Sequence, residues 1–173
     1  ERSVVVLSLD QRPVPRYPIP DALALDGSAQ TQRYPRAGDP NPRATLAVHR
    51  VDGSGEVSKT TLALEQPAHE YVVRVTWTPD GQRVLVVTLD RAQQHVAVRA
   101  FDPLTGQGSL VLEERDSAWI EPPPAPRFVG ERGFLWRDAR GVWSLRPMLP
   151  SAARAPDAVR TLTPAAFVAG DVL

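Results

Sequence analysis

The chain has 173 residues, 20 basic and 20 acidic side chains, no cysteine, 18 prolines and 42% hydrophobic residues. That length suits about one domain with a sizeable buried core, and the balanced charge gives no electrostatic case for nucleic acid or an anionic membrane as partner. The lack of cysteine excludes disulfides, thiolate metal sites and cysteine nucleophiles, and no apolar run approaches the ~18 residues of a membrane-spanning helix.

Val4 to Leu9 is an apolar run that reads as a strand. It is too short for a signal-peptide core, and the chain opens on Glu1 rather than Met, as an excised or processed piece would. Gln11 to Pro42 is a proline-rich excursion. Its last part, Arg33-Tyr34-Pro35-Arg36-Ala37-Gly38-Asp39-Pro40-Asn41-Pro42, holds three prolines in ten residues. Each proline fixes its own φ and pushes the preceding residue toward extended conformations, so this stretch cannot be a helix and reads as an ordered crossing into a strand starting near Arg43. Arg43 to Val51, a turn at Asp52-Gly53-Ser54-Gly55, and Val57 to Leu64 follow as two further strands.

The clearest pattern runs from Tyr71 to Glu113. Tyr71 to Trp77 alternates, and Thr78-Pro79-Asp80-Gly81 is turn chemistry. Arg83 to Leu89 is almost continuously apolar, as expected of a strand covered on both faces. Gln94 to Phe101 alternates again after a turn at Asp90-Arg91-Ala92. Asp102 to Gly106 is a turn, and Ser109 to Glu113 is a more exposed last strand. A third unit follows in Arg127 to Val129, Phe134 to Arg137, Val142 to Arg146 and Val159 to Leu162, and Phe167 to Leu173 lines up with Tyr71 to Trp77. Val4 to Asp10 repeats as Val84 to Asp90, an offset of 80 positions. Four antiparallel strands in about 45 residues make one propeller blade.

The expected fold is therefore all-β, a partial β-propeller of about three four-stranded antiparallel blades. Residues 1–173 form one domain: 1–66 an incomplete blade with the insertion 11–42, 67–115 and 116–163 two blades, and 167–173 the first strand of another. A blade buries its faces against its neighbours, so open edges at both ends of such an arc invite homo-oligomerisation. A self-contained sandwich or small barrel fits the same periodicity.

Catalytic chemistry is sparse. No Gly-x-Ser-x-Gly elbow occurs, and Gly53-Ser54-Gly55 belongs to a turn. His49, His69 and His95 lack metal-ligand spacing and read as strand surface or satisfied packing. No metal and no cofactor is expected. Glu113-Glu114, followed by Arg115, reads as a solvated turn with local ion pairs. Trp77, Trp136 and Trp143 fall in or beside strands and read as core. Trp119 differs, since it precedes Glu121-Pro122-Pro123-Pro124 on a stiff loop where it could face a cavity or ligand.

Several segments, in order along the chain, resemble the N-terminal β-propeller region of the dipeptidyl peptidase IV family of serine exopeptidases. Leu9-Asp10-Gln11 with Val14 to Pro18, then Arg33 to Pro42 with Arg36 at the family's lysine position, carry the first part of the resemblance. Tyr71 to Trp77, Leu89 to Gln93, Trp119-Ile120, Gly133 to Leu145 and Val159 to Thr163 carry the rest. The resemblance implies a propeller packed on a C-terminal α/β-hydrolase domain that holds the catalytic residues, with a glutamate pair for the substrate's free amine lying upstream of Glu1. It implies a peptide substrate, and a loop after Trp119 that lines part of its pocket, here Trp119, Glu121 and Pro123. No catalytic residue is expected in this chain. Lack of cysteine suits a bacterial protein, cytoplasmic or exported. The implied role is to gate and orient short peptides for the hydrolase; the alternative is a stand-alone interaction module.

Overall fold

In the computed structural model, which describes residues 2–23, 25–55, 57–64, 71–130, 133–147 and 159–163, the chain is all-β. The expected strand at Phe167–Leu173 and His69 lie outside the described residues. In chain order the strands are β1 (Arg2–Asp10), β2 (Arg16–Pro20), β3 (Ala29–Arg33), β4 (Arg43–Val51), β5 (Val57–Thr61), β6 (Tyr71–Trp77), β7 (Val84–Leu89), β8 (His95–Phe101), β9 (Gly108–Arg115), β10 (Arg127–Phe128), β11 (Phe134–Arg137), β12 (Trp143–Arg146) and β13 (Arg160–Thr161). They form sheets ordered β1-β4-β5, β2-β3, β6-β7-β8-β9 and β10-β11-β12-β13. The chain divides into a larger unit, residues 1–6 with 46–173, and a smaller one, residues 7–45.

In the larger unit, β7 decides the packing. All six of its residues are buried, and because strand side chains alternate they feed two different cores. Val84 and Val86 join Leu46, Val48, Leu62 and Phe101, with Val5, Val72 and Trp77 packed alongside. Leu85, Val87 and Leu89 join Val96, Val98, Ala100, Leu112, Ile120, Phe134 and Trp136. Sheet β6–β9 is thus the middle layer between sheet β1-β4-β5 and sheet β10–β13, an arc of a β-propeller. Each buried Val, Leu or Phe contributes about 1.5–3 kcal/mol by leaving water. On the far side, Phe134 and Trp136 sit two residues apart on one face of β11 and meet edge to face, centroids 6.4 Å apart at 89°.

The turns follow from aspartates that accept backbone N–H groups just ahead of them. Asp52 accepts from Ser54 at 2.8 Å, Asp80 from Gln82 at 3.0 Å, Asp102 from Leu104 at 2.7 Å and Asp138 from Arg140 at 3.0 Å. Two expected patterns differ from what is observed. The alternation of Tyr71–Trp77 is interrupted because the register with β7 shifts between Val72 and Arg74. Val73 is the extra residue of a bulge, so Val72 and Trp77, five positions apart, pack on the same core. And β5 stops at Thr61, although Leu62 still donates to the Leu46 carbonyl at 2.9 Å and is buried.

In the smaller unit the proline-rich excursion contains an antiparallel hairpin, which the proline density hid. Register pairs Tyr17 with Gln32 and Ile19 with Gln30. Pro18 and Pro20 share one parity, and the bonds Asp21 N–H to Ser28 O (3.1 Å) and Tyr34 N–H to Pro15 O (3.1 Å) extend the ladder to the odd positions of the first strand. The imino nitrogens therefore fall where no donor is required. Below the hairpin, the crossing is tied down by side chains. Arg36 lies over the Tyr17 ring at 3.8 Å, the Tyr17 hydroxyl donates to Asp39 at 2.9 Å, and Asp39 accepts the Arg36 N–H at 3.1 Å. Arg33 donates to the Val14 carbonyl at 2.6 Å. β4 then starts at Arg43, where the crossing was expected to deliver it.

Phe101 is fully buried in the core shared by β4 and β7. Replacing it with Ala should cost about 3–5 kcal/mol by urea denaturation, whereas Leu110→Ala, at an exposed position of β9, should cost under about 1 kcal/mol.

Candidate functional site

The loop 116–126 joins β9 to β10 and is built on the neighbouring β7–β8 turn. Asp116 donates to the Gln94 carbonyl at 3.0 Å and Ile120 to the Gln93 carbonyl at 2.6 Å. The Gln94 amide donates to the Ser117 carbonyl at 2.8 Å, and the Trp119 indole N–H donates to the Gln93 side-chain oxygen. Among the described residues Gln93 is the one non-glycine with positive φ, 56°. A left-handed residue costs roughly 1–2 kcal/mol, and both oxygens of Gln93 serve the loop. Ile120 is inserted into the core beside Phe134 and Trp136, which pins the proline run that follows.

That run forms one wall of a cavity of about 260 Å³. Glu121 and Pro123 both line it, Glu121 exposed and Pro123 buried. Trp119 is not part of the lining; it is 56% exposed, with its indole tied back to Gln93. The opposite walls are Arg74, Glu114, Trp136 and Arg137. The bulge in β6 precedes Arg74, and β11 supplies Trp136 and Arg137. A cleft with two guanidiniums, the three carboxyl groups of Glu114, Glu121 and Asp138, and a stiff proline wall can hold a short polar peptide through its charged ends or side chains.

Glu114 corrects the reading of Glu113-Glu114 as a solvated turn. β9 runs through both residues to Arg115, so they face opposite sides. Glu113 behaves as expected, exposed and paired with Arg115 at 2.7 Å, and the Arg115 hydrogen bond holds its carboxyl below the usual range. His95 also reaches Glu113, at 2.5 Å. Glu114 instead is half-buried and accepts the Trp136 indole N–H at 2.8 Å, with Arg146 at 4.0 Å. Burial pushes its carboxyl above the ordinary value, against the hydrogen bond from Trp136. The clue in the sequence was strand parity: Leu112 and Glu114 share a face, and Leu112 is core.

Residues 1–144 match the family model described as the dipeptidyl peptidase IV (DPP IV) N-terminal region. A dipeptidyl-aminopeptidase B of Ajellomyces capsulatus is 30% identical over 102 residues, 56% of this chain and 11% of the relative. Dipeptidyl peptidase 8 of Mus musculus is 32% identical over 84 residues, 43% of this chain and 9% of the relative. Among solved structures, a protein assigned as a dipeptidyl aminopeptidase IV from Bacteroides ovatus superposes with a TM-score of 0.71 at 21% identity, covering 84% of this chain and 21% of that one. Porphyromonas gingivalis dipeptidyl peptidase 4 gives 0.70 at 20%, covering 85% and 22%. The chain thus spans about a tenth of the length of these curated relatives. Among the described residues no helix is long and apolar enough to cross a membrane, and no group of metal-binding side chains is assembled.

A carboxyl raised by burial favours the native state when protonated. The Glu114 contribution is therefore fully present below the ordinary carboxyl value and lost as pH rises through the higher native one. Glu114→Gln keeps an acceptor for Trp136 and removes the titration. The stability of the variant relative to the parent should rise as pH increases from about 4 to 7, read by urea denaturation at each pH. A difference that stays flat or falls over that window contradicts the burial of this carboxylate.

Proposed function

Because the chain belongs to the dipeptidyl peptidase IV N-terminal region family, we propose that it is the non-catalytic propeller portion of a serine-type dipeptidyl peptidase. In the longer protein it gates access and orients short peptides for an α/β-hydrolase domain that carries the catalytic residues. The family match over residues 1–144 is the observation that carries this reading. The cavity beside loop 116–126 supports a more local assignment. Glu121 and Pro123 line it, and the exposed Trp119 beside them completes a substrate-facing edge.

The physical logic is positioning. A peptide held by a stiff loop and fixed charges loses its rotational freedom on binding rather than in the reaction, so the propeller sets which peptides reach the hydrolase in a productive pose. A loop anchored through Ile120 and Gln93 is suited to this because it need not be ordered by the substrate.

The test is kinetic and uses the longer protein. Glu121→Ala and Trp119→Ala should raise KM for tripeptides and longer substrates several-fold, with kcat for a Gly-Pro anilide changed less than about twofold. Equal KM values across substrates in both variants would remove the substrate-facing role of the loop. The 173-residue chain by itself should release no chromophore from the anilide. If the longer protein also lacks peptidase activity while binding a protein partner, the interaction-module reading replaces this one.

A further inference from the structure

Four turns in the larger unit share one geometry. The fourth residue of each donates its N–H to the carbonyl of the first: Gly55 to Asp52 at 3.2 Å, Gly81 to Thr78 at 2.8 Å, Gly141 to Asp138 at 2.9 Å and Gln93 to Asp90 at 3.1 Å. In each, that fourth residue has positive φ, at 85°, 69°, 81° and 56° in the same order. Glycine enters this region without steric cost, so three of the turns carry the residue their backbone favours. The turn between β7 and β8 carries Gln93 instead. The turn is closed by Asp90, whose carboxylate accepts the Gln94 N–H at 2.7 Å and the His95 N–H at 2.9 Å. A backbone outlier kept where glycine fits more easily directs attention to what its side chain does.

That side chain holds Trp119: its oxygen accepts the indole N–H. The loop is held by other groups. The Gln93 carbonyl accepts the Ile120 N–H at 2.6 Å, the Gln94 carbonyl accepts the Asp116 N–H at 3.0 Å, and Ile120 is inserted in the core. These contacts are indifferent to the side chain at position 93. The two holds are therefore separable, the main chain fixing the loop and the Gln93 amide fixing the ring. Packing alone leaves more than half of the Trp119 surface free, since it is 56% exposed. With its one polar group satisfied inside the protein, the indole presents its apolar surface in a set orientation. Asparagine tolerates the left-handed region better than glutamine, but it is one methylene shorter.

We propose that Gln93 is a positioning residue for peptide recognition. It holds the Trp119 ring in place, so that a peptide meets an ordered surface instead of ordering one on binding. The inference rests on the substrate-facing role given above to Trp119 and adds the residue that sets its ring. Gln93 lies outside the cavity lining and acts through Trp119.

The test takes kinetics from the longer protein and structural readouts from the 173-residue chain. Gln93→Gly keeps the turn and removes the acceptor. It should raise KM for tripeptides and longer substrates several-fold, as far as Trp119→Ala does, with a smaller change in kcat. Gln93→Glu keeps an acceptor oxygen at the same reach and should hold KM within about twofold of the parent, whereas Gln93→Asn should resemble the glycine variant. The double variant Gln93→Gly/Trp119→Ala should be no worse than Trp119→Ala alone, because the two residues act as one unit. By NMR, the Trp119 indole N–H should exchange with water faster in Gln93→Gly than in the parent chain. The urea midpoint should stay near the parent's, since relief of the left-handed backbone is offset by a freer unfolded chain. The inference is overturned if Trp119→Ala raises KM while Gln93→Gly leaves it unchanged, a result that keeps the substrate-facing loop. Additive effects in the double variant, or equal indole exchange, overturn it as well. Unchanged KM in Trp119→Ala removes the substrate-facing role of Trp119 and this inference together.

Discussion

One strand buried on both faces organises the larger unit. Every side chain of β7 is inside, and its alternation divides them between two cores. A sheet with one wet face would need polar residues at every second position; Val84 to Leu89 offers just Thr88, whose hydroxyl donates to the Ala97 carbonyl at 3.4 Å. Layers on both sides are therefore an obligation. Sheet β1-β4-β5 meets it through Leu46, Val48 and Leu62, and sheet β10–β13 through Phe134 and Trp136.

The functional features grow from that stacking. Ile120 reaches the core only because Phe134 and Trp136 approach from the next sheet, and so the proline run behind it becomes a wall instead of a loose loop. Gln93 holds an unfavourable backbone conformation where its two oxygens bind the loop, a local cost borne by the surrounding packing. Glu114 is a polar tie between layers: a carboxylate on β9 receiving the indole N–H of β11. On the other side of the middle sheet, the β8–β9 turn rests through Gly106 on Thr61 at the end of β5 and on Ala63 just after it.

Much of this architecture was readable in advance where hydrophobic pattern and turn chemistry agreed. β4, β6 and β11 have the bounds anticipated for them, because glycine, aspartate and proline punctuation flanks runs of β-branched or aromatic residues. What escaped had physical reasons. The β2–β3 hairpin carries two prolines on one strand and Ala-Gln-Thr-Gln-Arg on the other, so neither half shows apolar alternation, and only the shared parity of the prolines permits the ladder. Val73 is a bulge, which a period-two reading cannot register. Arg74 was invisible as a site residue because its significance lies in which sheet stands opposite, a tertiary fact, and Glu114 was traceable through nothing but its shared parity with Leu112. Local pattern singled out Trp119 ahead of its proline run, and the resemblance to the dipeptidyl peptidase IV family added Glu121 and Pro123 as candidates on the same irregular loop.

Native-state hydrogen exchange tests the doubly covered middle layer most directly. The amides of Val84 to Leu89, bonded on both sides and shielded above and below, should be the slowest in the chain and open only with global unfolding. The amides of exposed β1 and β5 should exchange through local opening, orders of magnitude faster. If β7 exchanges as fast as those edge strands, the sheets are not stacked as described, and the account built on them falls with it.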